Sequence, residues 1–76
     1  MNEIRTKLYE LLSEKTGLEL KEISDGLHFE EDLNIGEVEL LDIITEVEEM
    51  FGIEIDPDLT HETVGDLVNT INDELN

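Results

Sequence analysis

Residues 29–55 read FEEDLNIGEVELLDIITEVEEMFGIEI, and the middle of this stretch carries the pattern that decides the fold. From position 37 to position 51, apolar residues recur every three or four positions, which is the spacing of one face of an α-helix. Gly36 can serve as the N-cap of this helix, and Gly52 is suited to end it. The apolar face is predicted to be buried, with Met50 at its flank, and consists of Leu40, Ile43, Ile44, Val47 and Phe51.

The same periodicity predicts a helix on each side of this one. Residues 2–16 show an apolar face and end before Gly17, which is suited to a left-handed C-terminal cap. Thr63 can cap a final helix, with Asp66 as the acidic member of a capping box. Between the first two helices, residues 18–36 are too apolar for a solvated linker, so we expect a long ordered loop. A loop of this length is normally either functional or wrapped onto the core by its own side chains.

Two short helical turns are expected in the connections, one near residues 20–23 and one near residues 58–61. No segment shows the alternating pattern of a strand. The sequence therefore predicts an all-α fold, a small four-helix bundle that occupies residues 1–76 as a single domain. Its expected features are a long loop between helices 1 and 2 and a short third helix.

Charge is the strongest compositional feature. The chain has 76 residues with 22 Asp and Glu against 4 Lys and Arg, a net charge of −18. Every base lies in residues 1–21, so residues 22–76 contain acids and no Lys or Arg. Such a surface repels the phosphate backbone of nucleic acids and attracts basic partners. A surface that is acidic for solubility alone is the alternative.

Other classes of protein are excluded by what the chain lacks. It has no cysteine, so disulfides, thiolate metal sites and cysteine nucleophiles are ruled out. No apolar run reaches the roughly 18 residues of a membrane span, so no membrane insertion is expected. A cytoplasmic monomer is the default expectation. We find no nucleophile–base pair and no phosphate-binding glycine loop, so the sequence does not indicate an enzyme.

The order of the elements and three short motifs resemble the acyl carrier protein family. Residues 29–33, FEEDL, resemble the segment that precedes the modification site of that family. Residues 47–55, VEEMFGIEI, resemble the stretch that closes its second helix, and Thr63-Val64 resembles the start of its last helix. The resemblance implies an acyl-carrier-like bundle that acts in a fatty-acid, polyketide or related thioester pathway.

The modification site of that family is not present in this chain. In the family, Asp-Ser-Leu begins the second helix, and its serine is esterified by 4′-phosphopantetheine. Here the three positions read Gly36, Glu37 and Val38. The resemblance therefore implies a protein without this cofactor, which would act as a scaffold or regulator. A specialised carrier with an unrecognised attachment site is the alternative.

Glu37 itself has two interpretations. It can be an ordinary acid in a first helical turn, stabilised by the helix dipole. It can instead place a permanent negative charge where the phosphate of the cofactor would lie. The changes at Gly36 and Val38 favour drift or respecialisation over a single mimic.

The resemblance also implies a docking face on the second helix for basic patches of partner enzymes. A solvated helix face is the alternative. The less charged centre of this face would be Val38, Leu41 and Thr45, and its acids would be Glu37, Glu39, Asp42, Glu48 and Glu49.

So acidic a chain offers many carboxylate oxygens to a metal ion. A calcium loop needs oxygen ligands at its first, third and fifth positions and glutamate at its twelfth. Loops that start at Asp32 or Asp56 place Ile43 or Leu67 at the twelfth position. Neither His28 nor His61 has a second histidine or cysteine nearby for zinc. No metal site is predicted, although weak divalent-ion binding by an acidic protein remains the alternative function from another class.

Overall fold

The computed structural model describes residues 2–76, which fold into three α-helices joined by long connections. The helices are α1, Asn2–Thr16, α2, Glu37–Phe51, and α3, Val64–Leu75. A 3₁₀ turn at Leu20–Glu22 supplies a fourth helical element. Residues 2–76 contain no strand beyond an isolated antiparallel bridge between His28 and Thr63. The predicted all-α bundle and its long first connection are confirmed.

The ends of α1 and α2 and the start of α3 lie where the local sequence signals predict. Gly17 and Gly52 follow α1 and α2 with φ of 81° and 66°, a left-handed conformation that glycine adopts without steric cost. The side chain of Thr63 accepts a hydrogen bond from the Asp66 amide at 3.2 Å, and the Asp66 carboxylate accepts one from the Thr63 amide at 3.1 Å. This reciprocal capping box fixes the start of α3.

The hydrophobic core takes side chains from all three helices and from the loop between α1 and α2. Leu8, Val47 and Leu67 are fully buried, one from each helix. The loop adds Phe29, which is 2% exposed and whose amide donates to the Glu62 carbonyl at 2.9 Å. The loop is therefore part of the core, and its other buried side chains are Ile23, Leu33 and Ile35.

The connection between α2 and α3 differs in detail from the sequence expectation. Where a short third helix was expected near residues 58–61, the chain makes one turn at Pro57 and Asp58. Asp56 accounts for this turn, because its carboxylate accepts from the Asp58 amide at 2.9 Å and its carbonyl from the Leu59 amide at 3.1 Å. Such local bonds to an Asp side chain compete with helix formation.

Asp25 joins three parts of the fold. Its carboxylate accepts hydrogen bonds from the Arg5 guanidinium, at 2.7 Å from Nη2, and from the Tyr9 hydroxyl. Its carbonyl accepts from the Gly65 amide at 2.8 Å. The hydrogen bond from Arg5 lowers the pKa of the Asp25 carboxyl. This residue thereby ties α1 and the start of α3 to the first loop.

No helix within residues 2–76 combines the length and the apolar character that crossing a membrane requires.

Candidate docking face and groove

The outer side of α2 presents apolar side chains to solvent beside several acids. Val38 is 71% exposed and Leu41 57%. The two residues are three positions apart, so they are neighbours on the helix surface. The predicted docking residues that lie exposed on α2 are Glu37, Val38, Glu39, Leu41, Asp42, Thr45 and Glu49.

The first turn of α2 is acidic and contains no hydroxyl. Glu37 and Glu39 lie in this turn, where the helix dipole favours negative charge. Gly36, the N-cap, has φ −80° and makes no side-chain cap. A Cβ placed on Gly36 would lie 2.9 Å from Oε1 of Glu39, so the Glu39 carboxylate lies close over the glycine.

The residues at the start of α2 do not fit a phosphate ester, because Gly36, Glu37 and Val38 offer no alcohol oxygen to carry one. The hydroxyl within α2 belongs to Thr45 and donates to the Leu41 carbonyl at 3.0 Å, two turns further along the helix. A carboxylate at position 37 also repels an approaching phosphate.

The acids of α2 differ in whether a basic side chain neutralises their charge. Glu46, on the flank towards α1, forms an ion pair with Lys15 at 2.8 Å. This bond raises the pKa of the Lys15 ammonium, with smaller contributions from Glu14 and Asp42. Within residues 2–76, none of Glu37, Glu39 and Glu49 forms an ion pair. The negative potential therefore lies on the outer side and first turn of α2.

Glu48 differs from the other predicted docking residues because its side chain is bonded within the protein. Its side chain is half-buried, and Oε2 accepts a hydrogen bond from the Ile55 amide at 2.7 Å. Glu48 therefore holds the connection that follows α2. The sequence did not distinguish it from Glu49, which is exposed.

A groove of about 830 Å³ runs between α2 and the connection that leads to α3. Its volume lies in the range of ordinary ligand sites. Several acids line the groove, among them Glu30, Glu31, Asp56 and Asp58. The apolar side chains along it are Phe29, Ile35, Leu40, Leu41, Ile44, Ile55, Pro57 and Leu59. The sequence did not reveal this groove, because its lining comes from the first loop, α2 and the connection to α3, which meet only in the folded chain.

Both histidines line this groove, in different environments. His61 is 7% exposed, and its Nε2 lies 2.9 Å from the Thr70 hydroxyl. Burial lowers the pKa of the His61 ring, and the charge of Asp66 opposes that shift. His28 is half-buried, with Nδ1 3.5 Å from the Asp32 carboxylate. No local sequence pattern marks His61 as a buried residue.

No group of three or more His, Cys, Asp or Glu side chains suited to hold a metal ion occurs within residues 2–76.

Comparison with known proteins identifies the family. Residues 6–71 match the family described as "Phosphopantetheine attachment site". The acyl carrier protein of Arthrobacter sp. (strain FB24) is 37% identical over 71 residues, which are 91% of this chain and 88% of that protein. The acyl carrier protein of Thermotoga maritima is 32% identical over 75 residues, 96% of this chain and 93% of the relative.

A solved structure of the acyl carrier protein from Enterococcus faecalis matches with a TM-score of 0.83 at 28% identity, over 96% of this chain and 95% of that chain. Fold and sequence together define a small helical carrier domain of the phosphopantetheine-binding class. Within that class, the chain belongs to the acyl carrier protein family. The resemblance seen in the sequence is confirmed. Acyl carrier proteins are carriers in acyl thioester pathways and not enzymes, and their family carries 4′-phosphopantetheine.

Proposed function

We propose that this protein is a docking module of the acyl-carrier type that does not carry phosphopantetheine and acts as a scaffold or regulator. Its pathway would be a fatty-acid, polyketide or related thioester pathway, and its partners would be enzymes with basic patches. The proposal further takes the protein to be a cytoplasmic monomer without a metal or organic cofactor.

The observation that carries the proposal is the composition of the outer side of α2. Val38 and Leu41 are exposed apolar side chains. A face that served only solubility would need charged side chains and not these two. Glu37, Glu39 and Glu49 surround them without ion pairs within residues 2–76. Apolar anchors inside a charged rim are typical of protein interfaces, in which the anchors set the dissociation rate and the charges steer encounter.

The absence of the cofactor rests on Glu37. This glutamate begins α2 and stands, by the resemblance of the surrounding motifs, at the position of the modified serine. The missing hydroxyl supports a protein that docks without delivering an acyl group. A helix dipole stabilises any acid at this position, so the presence of Glu37 alone is not evidence that its carboxylate imitates the phosphate. Such imitation requires that Glu37 contribute to partner binding.

The test is a partner recovered from host lysate and studied by binding kinetics at two salt concentrations. We expect Asp42→Lys with Glu49→Lys to slow association and to weaken its salt dependence, because exposed rim charges act on encounter. Val38→Asp or Leu41→Asp should raise the dissociation rate by roughly tenfold or more, as loss of a central anchor does. Glu48 is left intact in these variants because its carboxylate holds the Ile55 amide.

The matched control is Glu10→Lys with Glu14→Lys, which changes the net charge equally on the exposed side of α1. This variant should bind as the wild type does, apart from a small long-range effect on association. If the α1 variant lost binding while the α2 variants kept it, the docking face would lie elsewhere.

A further inference from the structure

Residues 53–62 form the outer wall of the groove and are here called the strap. Most of the strap is exposed, and two of its side chains are buried, Ile55 near its start and His61 near its end. The strap faces α2 across the groove, because Ile55, Leu59 and His61 line the groove together with Leu40 and Ile44. Movement of the strap would therefore change access to the groove.

The start of the strap is held by α2. The Ile53 amide donates to the Glu48 carbonyl at 3.1 Å, and the Ile55 amide donates to the Glu48 carboxylate at 2.7 Å. A hydrogen bond to a charged acceptor is stronger than one between neutral groups. Glu48 therefore anchors the strap with both its backbone and its side chain.

Within residues 2–76, the middle of the strap forms hydrogen bonds only with other residues of the strap. The Asp58 and Leu59 amides both donate to Asp56, two and three positions earlier. No hydrogen bond from residues 56–60 to a helix occurs within the described chain, residues 2–76. Segments with exposed side chains and few anchoring bonds open at lower free energy than the core.

The end of the strap is held by α3. His61 is buried with its Nε2 2.9 Å from the Thr70 hydroxyl. The next residue is fixed independently, since the Glu62 amide donates to the Asp66 carboxylate at 3.0 Å and the Glu62 carbonyl accepts from Phe29. Opening of the strap thus has natural limits at Ile53, whose amide is held by the Glu48 carbonyl, and at Glu62. The bond of the Ile55 amide to the Glu48 carboxylate and the buried His61 ring lie between these limits.

The charged groups around His61 are almost all acids. From α3 it is faced by Asp66, and its own strap contributes Asp56, Asp58 and Glu62. The other groove-lining groups that can carry charge are Glu37 and Glu48 of α2, and His28, Glu30 and Glu31 of the first loop. These acids favour a protonated ring, and burial is what opposes protonation of the His61 ring in the closed strap.

We propose that His61 is the positioning residue that holds the strap against α3, and that uptake of a proton by its ring frees the strap and widens the groove. The proton comes from solvent and is added to a ring nitrogen, with no other bond made or broken. In the closed state the imidazolium would be buried against Thr70, whereas in the open state it lies in water beside acids. The open state therefore binds the proton more tightly.

The direction of the pH dependence follows from burial. The pKa of the His61 ring is lowered in the closed protein and returns towards the ordinary value of 6.5 when the ring is exposed. The contribution of neutral His61 to closure is fully present above that value and is lost as the pH falls through the closed-state pKa. Between the two pKa values, the opening constant can rise by up to about tenfold per pH unit.

The experiment is amide hydrogen exchange followed by NMR at about pH 7.5 and about pH 5.5, either side of an ordinary histidine pKa. Protection factors are compared, since intrinsic exchange itself depends on pH. The Ile55 amide reports on the strap, and the Val64 amide, which donates to the Leu27 carbonyl at 3.0 Å, reports on the bundle. We expect Ile55 protection to fall roughly five- to tenfold at the lower pH, with Val64 protection nearly unchanged.

His61→Gln tests the contribution of protonation, because glutamine can form a hydrogen bond to Thr70 but does not titrate in this range. In this variant the change in Ile55 protection with pH should be less than about twofold. His28→Gln, which alters the other histidine of the groove, should behave as the wild type does. An unchanged pH response in His61→Gln, or equal losses at Ile55 and Val64, would overturn the proposal.

A second variant covers the case in which His61→Gln does not fold. Thr70→Val removes the hydroxyl beside the ring with little change of volume, and it should lower Ile55 protection severalfold at neutral pH. Unchanged protection there would also contradict the role of His61.

The proposed pH response of the strap does not depend on the proposed docking function. If the strap opened at low pH but no partner bound to α2, only the docking function would be refuted. If a partner bound to α2 but the strap did not respond to pH, only the proposal about His61 would be refuted.

Discussion

A phosphopantetheine arm is joined to a carrier when a serine hydroxyl attacks the pyrophosphate of coenzyme A, and at position 37 this chain has a carboxylate. We expect incubation with coenzyme A and a promiscuous phosphopantetheinyl transferase to leave the intact mass unchanged. A gain of one phosphopantetheine would contradict this, and peptide mapping would then locate the modified side chain.

The matched test restores the family motif. Glu37→Ser alone is not expected to be modified, because Gly36 and Val38 also differ from the residues that such a transferase recognises. The triple variant Gly36→Asp, Glu37→Ser, Val38→Leu should gain the arm. In that variant Glu39 has to move, since its Oε1 lies 2.9 Å from the position of a Cβ on residue 36. The end of a flexible side chain can make that shift at small cost.

Single residues also show what the sequence could not reveal about the site. Glu48 and Glu49 are adjacent acids on one helix and look equivalent, yet Glu48 binds the Ile55 amide and Glu49 is exposed. The difference arises from where the chain runs after Gly52, which no local pattern encodes. The exposed residues of the docking face were predictable because helical spacing alone sorts the two sides of α2.

At the scale of elements, the helix boundaries were predictable because their signals are local. Gly17 and Gly52 end α1 and α2 through their own backbone conformation, and the Thr63–Asp66 capping box acts over three positions. The strap and the Asp25 contacts were not predictable in this way. Asp25 meets Arg5, Tyr9 and Gly65 across 20, 16 and 40 positions, and only the packed bundle brings them together.

Gly65 gives a prediction about how α3 joins the first loop. A Cβ on Gly65 would lie 3.1 Å from the Asp25 carbonyl oxygen and 3.2 Å from the Asp25 Cβ. Asp25 has little freedom to yield, because Arg5 and Tyr9 hold its carboxylate. We expect Gly65→Ala to destabilise the protein by roughly 1 kcal/mol, as overpacking does, despite the higher helix propensity of alanine. Thermal unfolding should show a melting temperature lower by about 4–8 °C.

Gly26→Ala is the control for that substitution. Gly26 is also part of the turn next to Asp25, but a Cβ there meets nothing within 4 Å, and its φ is not in the left-handed region. Its melting temperature should stay the same or rise slightly, since alanine restricts the unfolded chain. A Gly65→Ala protein as stable as wild type would show that α3 is not held closely against Asp25.

Across the whole molecule, each of the four bases contacts another side chain of the same chain. Arg5 binds Asp25, Lys15 pairs with Glu46, and the Lys7 ammonium lies 5.6 Å from the centroid of the Phe51 ring. The remaining base, Lys21, pairs with Glu19 at 3.4 Å on the surface. No Lys or Arg is left over to offset the acids of residues 22–76, so their mutual repulsion opposes the compact state.

The size of the molecule sets how salt acts on this repulsion. The longest dimension is 28 Å. The Debye length is about 30 Å at 0.01 M ionic strength and about 10 Å at 0.1 M. At the lower value every acid is repelled by every other, whereas at the higher value only near neighbours repel one another. We therefore expect the melting temperature to rise by several degrees over this range and to level off above it, as thermal unfolding in NaCl would measure.

Two comparisons separate screening from ion binding. Glu30→Gln with Glu31→Gln removes two exposed acids, so this variant should melt higher than wild type at low salt and respond less to NaCl. Magnesium at matched ionic strength should add only a gradual increase without a saturable step, since no metal-binding group of three or more ligands occurs within residues 2–76.

A melting temperature indifferent to NaCl would show that the acids are far enough apart, or well enough hydrated, for repulsion not to limit stability. A steep saturable step with magnesium alone would instead reveal a site for which the acids must move together, and the protein would then have to be reconsidered as one that binds divalent ions.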